Sequence, residues 1–269
     1  MSHRLLTIGI ATLLGSTAIV GAGNSVGAIT FGELDAGRHP NVGSLIGTVP
    51  DGRSFQWCTG TLISPTIFLT AAHCFDGFDD VEFTVSFDEN LDADFDGEVD
   101  PGVDRLAGEA TPNPLYASGG ANETYDIAVF ELDVESDITP APLPEANLLA
   151  DKALKPATFT TVGYGTERDS KNGGVNSFLP GSRRKVAEQT INSVVKAWVT
   201  FSMNPSTGNG GTCYGDSGGP HFIGGKDVEN KTIVAITVTG DRYCRSTDKS
   251  YRLDTPNARD FLDEFVKLP

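Results

Sequence analysis

The sequence predicts an all-β protein of two halves, followed by a single helix at the C-terminus. Most apolar residues fall in short runs broken by Gly, Pro and Asp, a pattern typical of strands and turns. A proline-rich stretch at residues 139–144 separates two regions that share this pattern. The chain has 269 residues, which is enough for two domains that each bury a core.

The two halves are defined by their predicted strands. The first half spans residues 29–142, and its apolar runs predict strands at 42–49, 59–63, 67–71, 81–87 and 127–132. The second half spans residues 143–269, and its runs predict strands at 158–162, 185–191, 197–201 and 232–239. A helix is predicted after Thr255, which is a suitable N-cap before Pro256. Its apolar positions have helical spacing: Ala258, Phe261, Leu262, Phe265 and Val266.

The first 28 residues have the features of an export signal. Arg4 provides a positive start, residues 5–20 form an apolar run, and residues 26–28 are small, as signal peptidase requires. The run is shorter than the ~20 apolar residues of a membrane-spanning helix. We therefore expect a signal peptide at 1–28 and a secreted protein, in the extracellular or the periplasmic space.

The composition excludes several classes of partner. The chain carries 36 acidic and 20 basic residues, a formal net charge of −16. Because phosphate binding requires a basic surface, this charge argues against a nucleic-acid partner. A strongly charged surface also opposes self-association, so we expect a monomer. No later stretch is long and apolar enough to span a bilayer, and no membrane partner is expected.

Four cysteines in an exported chain are expected to form disulfides, because oxidising compartments preserve them. Four cysteines allow three pairings. The most local pairing joins Cys58 to Cys74 and Cys213 to Cys244. A metal site is the competing interpretation, and it has little support because the chain has no C-x-x-C spacing and only four histidines.

Three stretches together indicate nucleophilic catalysis. Residues 215–220 read Gly-Asp-Ser-Gly-Gly-Pro, and alone they would predict only a turn. Residues 70–74 contribute His73, and residues 125–129 contribute Asp126. A serine hydroxyl needs a neighbouring base to become a nucleophile, and that base needs a partner that orients it. The order His73, Asp126, Ser217 supplies all three groups.

With these motifs in place, the sequence resembles the trypsin/chymotrypsin family of serine proteases over nearly the whole chain after residue 28. Cys58 lies where the family places the partner of the cysteine after the histidine, and residues 163–165 match its Gly-aromatic-Gly segment. The resemblance implies two six-stranded antiparallel β-barrels with the active site between them. It also implies a serine endopeptidase that acts on protein or peptide substrates without a cofactor.

The resemblance assigns roles to single residues. Ser217 would attack the peptide carbonyl, His73 would act as general base and then acid, and Asp126 would orient the imidazole. The backbone N–H groups of Gly215 and Ser217 would form the oxyanion hole. Asp216 would pair with a freed amino terminus. Removal of residues 1–28 would expose Ile29, so we expect Ile29 and Asp216 to form this activating ion pair, although maturation elsewhere in 21–32 is the alternative.

The substrate pocket is expected to differ from that of trypsin itself. Relatives that cleave after Lys or Arg place an aspartate two residues before the cysteine of the serine motif, and this chain has Gly211 there, followed by Thr212. We therefore expect no preference for Lys or Arg. Residues Val238, Thr239 and Gly240 resemble the strand that pairs with the substrate backbone, but a valine replaces the family's serine, which would remove a hydroxyl near Asp126.

Two further features leave alternatives open. Lys249, Arg242 and Arg245 could lie on the pocket wall and select acidic side chains, or they could be solvated. Asp92, Asp94 and Asp96 have the spacing that begins a calcium-binding loop, but Val103 occupies the position of its closing glutamate. These aspartates therefore form either a calcium site or a solvated acidic turn.

Two other function classes use similar residues. An α/β-hydrolase esterase requires Gly-x-Ser-x-Gly and the order Ser, Asp, His, which this chain lacks. A catalytically silent protease fold that serves as a binding protein is the alternative. Such a protein would be expected to lack one of the three catalytic groups, and all three are present.

Overall fold

The structure is a computed structural model that describes residues 29–168, 178–227 and 230–269. The predicted signal peptide, residues 1–28, lies outside the described residues. The strands are β1 (Glu33–Leu34), β2 (Val42–Thr48), β3 (Ser54–Ser64), β4 (Ile67–Thr70), β5 (Glu82–Ser86), β6 (Gly108–Pro112), β7 (Ala128–Leu132), β8 (Thr158–Gly163), β9 (Glu167–Arg168), β10 (Phe178–Leu179), β11 (Lys185–Val194), β12 (Trp198–Ser202), β13 (Pro220–Ile223), β14 (Ile233–Gly240) and β15 (Thr247–Arg252).

The helical elements are short. The helix α1 spans Pro256–Leu262, and single 3₁₀ turns occur at Ala72–Cys74, Leu148–Ala150, Lys152–Leu154 and Pro205–Thr207. Thr255 caps α1, since its Oγ1 accepts a hydrogen bond from the Ala258 N–H at 3.4 Å, as the sequence predicts. Within the described residues, no helix is long and apolar enough to cross a membrane.

The first barrel is a six-stranded antiparallel sheet in the order β5-β2-β3-β4-β7-β6. Its two edges meet at a bridge between Val85 and Leu106, whose backbone groups exchange hydrogen bonds of 2.9 and 2.8 Å. Apolar side chains from β2, β3, β4 and β7 fill its interior, among them Leu45, Leu62 and Phe68, all fully buried. The predicted apolar runs of the first half therefore supply the side chains of this core.

The second barrel contains β11, β12, β15, β14, β13 and β8, and the pairing of β8 with β11 closes it. The additional strand β1 pairs with β11, with Glu33 opposite Val186. The N-terminal segment therefore packs on the second barrel, although it precedes the first in sequence. Two six-stranded barrels and a C-terminal helix confirm the predicted fold class, while the boundaries 29–142 and 143–269 stay a prediction.

All nine predicted strands are present, but sequence reasoning missed several elements. Strand β6 reads Gly-Glu-Ala-Thr-Pro, a sequence without an apolar run, and none of its residues is fully buried. Strand β15 reads Thr-Asp-Lys-Ser-Tyr-Arg, and it is nevertheless mostly buried because its polar side chains bond to one another inside the barrel. Strand β13 begins at Pro220 within the serine motif. Each of these strands is stabilised by tertiary contacts that its own sequence does not reveal.

Two disulfides link the elements around the cleft. Cys58 of β3 is bonded to Cys74, and Cys213 is bonded to Cys244. This is the most local of the three pairings. It leaves no free cysteine in the described residues, and the predicted disulfides are confirmed.

Candidate active site

His73 lies in the 3₁₀ turn that follows β4. The turn is held to β3 by the Cys58–Cys74 disulfide and by a hydrogen bond of 3.0 Å that Trp57 Nε1 donates to the Cys74 carbonyl oxygen. Just before the turn, the Thr70 hydroxyl of β4 donates to the Thr59 carbonyl oxygen of β3 at 2.8 Å. The His73 side chain is 29% exposed, so one edge of the ring faces the cleft while the rest is packed. The backbone of the histidine motif is therefore fixed by neighbouring strands of the first barrel.

Asp126 lies two residues before the start of β7 and is 4% exposed. Its Oδ1 accepts a hydrogen bond from the backbone N–H of His73 at 2.9 Å, and its Oδ2 lies 2.8 Å from His73 Nδ1. This pair of contacts places the proton on Nδ1 of a neutral imidazole and leaves Nε2 as an acceptor towards the cleft. No other described residue donates a hydrogen bond to this carboxylate, which agrees with the valine at position 238.

Ser217 is held at the junction of the two barrels by its own backbone. The Thr59 N–H of the first barrel donates to the Ser217 carbonyl oxygen at 2.8 Å, and the Gly218 N–H donates to Thr237 of β14 at 2.8 Å. Gly218 has φ = +80°, and a Cβ there would lie 2.1 Å from Thr70 Oγ1. Only glycine permits this approach between the barrels.

The backbone around Gly215 orients two N–H groups. The Tyr214 carbonyl oxygen accepts a hydrogen bond of 2.7 Å from the Thr166 N–H. Because the peptide bond between Tyr214 and Gly215 is trans, the Gly215 N–H points away from Thr166, in the direction opposite to that carbonyl. The Asp216 carbonyl oxygen accepts from the Gly219 N–H at 2.9 Å, which orients the Ser217 N–H in the same manner. Among the described residues, neither N–H donates to a protein acceptor.

The carbonyl oxygen of Gly215 fixes the same loop from its other side. It accepts hydrogen bonds from Gln56 Nε2 at 2.9 Å and from Thr59 Oγ1 at 3.0 Å. Gly215 has φ = +94°, and a Cβ there would lie 2.4 Å from Gln56 Oε1. Gln56 was not singled out in the sequence, because a lone glutamine on a strand has no distinguishing signal.

His73 and Ser217 line one cavity of about 430 Å³. Predicted pocket residues Thr212, Val238, Thr239 and Gly240 line it as well. Gly211 is not among the lining residues, because its backbone faces Gln189 and Met203 instead; a Cβ there would lie 2.3 Å from Gln189 Nε2.

The charged residues around this cavity correct one sequence hypothesis. Lys249 Nζ lies 4.1 Å from the centre of the Trp198 ring and does not line the cavity, so the interpretation of Lys249 as a pocket cation is wrong. Arg242 does line the cavity, and its guanidinium lies over the Tyr243 ring. Arg245 is exposed and outside the lining.

A buried polar network lies behind the cavity. Thr212 Oγ1 donates to Asp248 Oδ2 at 2.5 Å, and Ser250 Oγ donates to Asp248 Oδ1 at 2.5 Å. Asp248 and the neighbouring His221 are fully buried, and burial lowers the pKa of His221. The sequence does not predict a buried Asp248, because the aspartate precedes a lysine and a serine in a polar stretch that is typical of a loop.

Asp216 is a fully buried carboxylate that is bonded only to backbone. Its Oδ1 accepts from the Gly165 N–H and its Oδ2 from the Cys213 N–H, both at 2.8 Å. Burial raises its pKa to about 7, while these N–H groups and, more weakly, the charge of Lys185 act in the opposite direction. Lys185 itself donates to Glu167 at 2.8 Å. Ionised Asp216 thus has no hydrogen-bonded cation among the described residues.

The segment around Ile29 packs close to the same loop. Ile29 is fully buried, and the backbone of Thr30 exchanges hydrogen bonds of 2.8 and 2.9 Å with Gly211. Gly211 lies five positions before Asp216 in the loop that leads to the serine motif. The predicted pair of Ile29 with Asp216 is untested, because Ile29 carries a peptide bond to residue 28 in this chain.

The acidic loop in the first barrel differs from the predicted ligand set. Carboxylate oxygens of Asp92, Asp94 and Asp100 lie within 4.8 Å of one another. Asp96 instead accepts a hydrogen bond from the Glu98 N–H at 2.8 Å. Asp92, 1% exposed, accepts from the Asp96 and Gly97 N–H groups at 3.2 and 2.9 Å. A calcium site in this loop would use Asp100 together with Asp92 and Asp94.

The family model described as Trypsin matches residues 34–261. The chain belongs to the trypsin family. This match covers both barrels, the three motifs and part of the terminal helix, so the fold and the class of serine proteases rest on sequence as well as on structure.

Three curated relatives are 27–31% identical to this chain over the aligned residues. A CLIP domain-containing serine protease B15 of Anopheles gambiae is 30% identical over 83% of this chain and 65% of its own length. A trypsin of Saccharopolyspora erythraea is 27% identical over 77% of this chain and 84% of its own length. Brachyurin of Leptuca pugilator is 31% identical over 61% of this chain and 70% of its own length.

Proposed function

We propose that this trypsin-family protein is an active, secreted serine endopeptidase that cleaves peptide bonds through His73, Asp126 and Ser217. The observation that carries the proposal is the double contact of Asp126 with His73, whose ring shares one cavity with Ser217. A silent binding protein would have no need to keep a buried carboxylate against an imidazole beside a serine.

In the proposed mechanism, Ser217 Oγ attacks the carbonyl carbon of the scissile peptide while His73 Nε2 accepts the hydroxyl proton. Asp126 stabilises the imidazolium that forms. The carbonyl oxygen becomes an oxyanion between the N–H groups of Gly215 and Ser217, each worth roughly 3–4 kcal/mol in comparable enzymes. His73 then gives its proton to the leaving amine, and an acyl-enzyme remains. Water, activated by His73, hydrolyses this ester in the same way.

We propose that the pocket has no strict preference for Lys or Arg. Gly211 provides no carboxylate, and its surroundings are filled by Gln189 and Met203. Of the two acids near the cavity, Asp241 lines it, but its Oδ2 already accepts hydrogen bonds from the backbone N–H groups of Ser246 and Thr247 at 2.7 and 3.0 Å. The other, Asp248, is fully buried and accepts hydrogen bonds from two hydroxyl groups, of which one belongs to Thr212. Thr212, Val238 and Thr239 present uncharged surface to the cavity. A cleavage profile on a peptide library tests this; cleavage confined to Lys and Arg would contradict it.

The proposed activation step is the pairing of the Ile29 ammonium with the Asp216 carboxylate after removal of residues 1–28. It is supported by the buried position of Ile29 and by the lack of a hydrogen-bonded cation at Asp216 among the described residues. N-terminal sequencing of the active protein tests it, since any start other than Ile29 excludes this form of the pair.

We also propose that the endopeptidase is secreted and monomeric, and that it has no nucleic-acid or membrane partner.

Labelling with a serine-directed organophosphonate tests the central claim. The wild-type protein is expected to take up one label with loss of peptidase activity, and Ser217→Ala is expected to take up none while keeping its melting temperature. A folded wild-type protein that begins at Ile29 yet is neither labelled nor active would establish the silent fold instead.

A further inference from the structure

A buried carboxylate lies three residues before Asp126. Glu123 is only 8% exposed, although it belongs to a loop of the first barrel that extends from β6 to β7. A buried glutamate is retained only where its oxygens have donors, because an unpaired ionised carboxylate is costly to bury. Glu123 has such donors, and two of them come from elements beyond the first barrel.

The donors to Glu123 link three parts of the molecule. Tyr251 of β15, fully buried, donates its hydroxyl to Glu123 Oε1 at 2.8 Å. Asn257 of α1 donates its amide to Glu123 Oε2 at 2.7 Å. Trp198 of β12 reinforces the contact, because its Nε1–H donates to the Ala121 carbonyl oxygen at 3.1 Å. The loop is therefore anchored to the second barrel and to the terminal helix.

The same carboxylate also holds the backbone beside the catalytic aspartate. The Tyr125 N–H donates to Glu123 Oε1 at 3.3 Å, and Tyr125 has φ = +53°. A tyrosine in this left-handed region is strained by about 1–3 kcal/mol and persists only where its surroundings enforce it. Tyr125 directly precedes Asp126, so its backbone conformation decides where the carboxylate of Asp126 points.

We propose that Glu123 is a positioning residue for the catalytic aspartate: it fixes the loop before Asp126 to the second barrel and α1, and thereby keeps Asp126 in contact with His73. The inference rests on the proposed function. Asp126 needs such support because, among the described residues, only His73 donates to its carboxylate. Errors of about 1 Å in catalytic geometry reduce rates by about 100-fold in other enzymes.

Substitutions at position 123 separate positioning from charge. Glu123→Gln keeps the shape: its amide oxygen can accept from the Tyr251 hydroxyl and the Tyr125 N–H, and its NH₂ group can donate to the Asn257 amide oxygen once that amide flips. Glu123→Ala removes both acceptors. We expect kcat to fall about 10- to 100-fold in Glu123→Ala with KM within about 2-fold, and to stay within about 3-fold of wild type in Glu123→Gln. Titration of active sites excludes unfolded protein from these rates, and exposed Glu264→Gln is the matched surface control.

A spectroscopic measurement makes the test independent of turnover. In a Ser217→Ala background, the His73 Nδ1 proton bonded to Asp126 should give an imidazole NMR signal protected from exchange. We expect this signal in Glu123→Gln and its loss or rapid exchange in Glu123→Ala. Retention of the signal and of kcat in Glu123→Ala would overturn the proposal, even if its melting temperature falls.

Two further variants keep the proposal testable if Glu123→Ala does not fold. Tyr251→Phe and Asn257→Ala each remove one donor to Glu123 and should lower kcat in the same direction without changing KM, together with a weaker Nδ1 signal. Unchanged values in both would overturn it. An inactive wild-type protein that still shows the protected proton, and loses it in these variants, would contradict the proposed function while supporting the positioning role.

Discussion

The buried carboxylate of Asp216 gives the sharpest test of the activation step. Its pKa is about 7 against 3.8 for an ordinary aspartate, and burial is the main cause. A raised pKa means that the folded chain binds a proton which the unfolded chain releases, so stability falls as pH rises from about 4 to 7. Three pKa units correspond to about 4 kcal/mol of unfolding free energy.

The expected result depends on the amino terminus. A chain that retains residues before Ile29 should lose about 4 kcal/mol between pH 4 and pH 7 relative to Asp216→Asn, which cannot ionise. A chain that begins at Ile29 should not show this loss, because its ammonium would neutralise the carboxylate and lower its pKa. In that chain, stability should instead fall at alkaline pH, where an α-amino group of reference pKa about 8 releases its proton.

Urea unfolding of both chains measures this difference, each with and without Asp216→Asn in a Ser217→Ala background that prevents self-cleavage. The comparison with Asp216→Asn cancels the titration of every other group. If both chain forms show the same pH dependence relative to Asp216→Asn, the Ile29 ammonium does not reach Asp216 and the activation proposal fails.

Three other predictions follow from single contacts. Gly218→Ala should lower the unfolding free energy by about 3 kcal/mol or more, because φ is +80° and the new Cβ meets Thr70 Oγ1 at 2.1 Å; a stable variant in urea unfolding would contradict this. Thr212→Val should cost about 2 kcal/mol in the same assay by removing a donor to buried Asp248, whereas Thr212→Ser should not. The melting temperature should not respond to calcium or to a chelator, since Asp92 is already bonded to backbone N–H groups; a rise that Asp94→Asn abolishes would establish a calcium site.

The sequence predicted those parts of the fold that have local signals. Short apolar runs bounded by Gly, Pro and Asp identify the core strands, and the terminal helix has a cap and an apolar face. Strand β15 could not be predicted, because Asp248 and Ser250 are bonded inside the barrel to Thr212 and His221, which lie 36 and 29 positions away in sequence. A sequence pattern predicts the burial of apolar side chains well. It predicts the burial of hydrogen-bonded polar side chains poorly, because the fold determines which partner each polar group meets.

The same limit applies to the site. His73, Asp126 and Ser217 were recognised through short motifs, in which the neighbouring small residues are as informative as the catalytic ones. Gln56 and Glu123 have no motif, yet they bond to the backbone at Gly215 and Tyr125. Of the two alternatives for Lys249, the pocket cation is wrong, because its side chain packs on Trp198, on the other face of the strand.

The contacts around the cleft run in both directions between the barrels. Gln56 and Thr59 of the first barrel hold the Gly215 carbonyl oxygen of the second, while Tyr251 of the second holds the loop of the first that leads to Asp126. Neither barrel alone therefore fixes the groups that surround the scissile bond. A small rotation of one barrel would displace the oxyanion donors and the aspartate together, so conditions that loosen this interface should reduce kcat before either barrel unfolds.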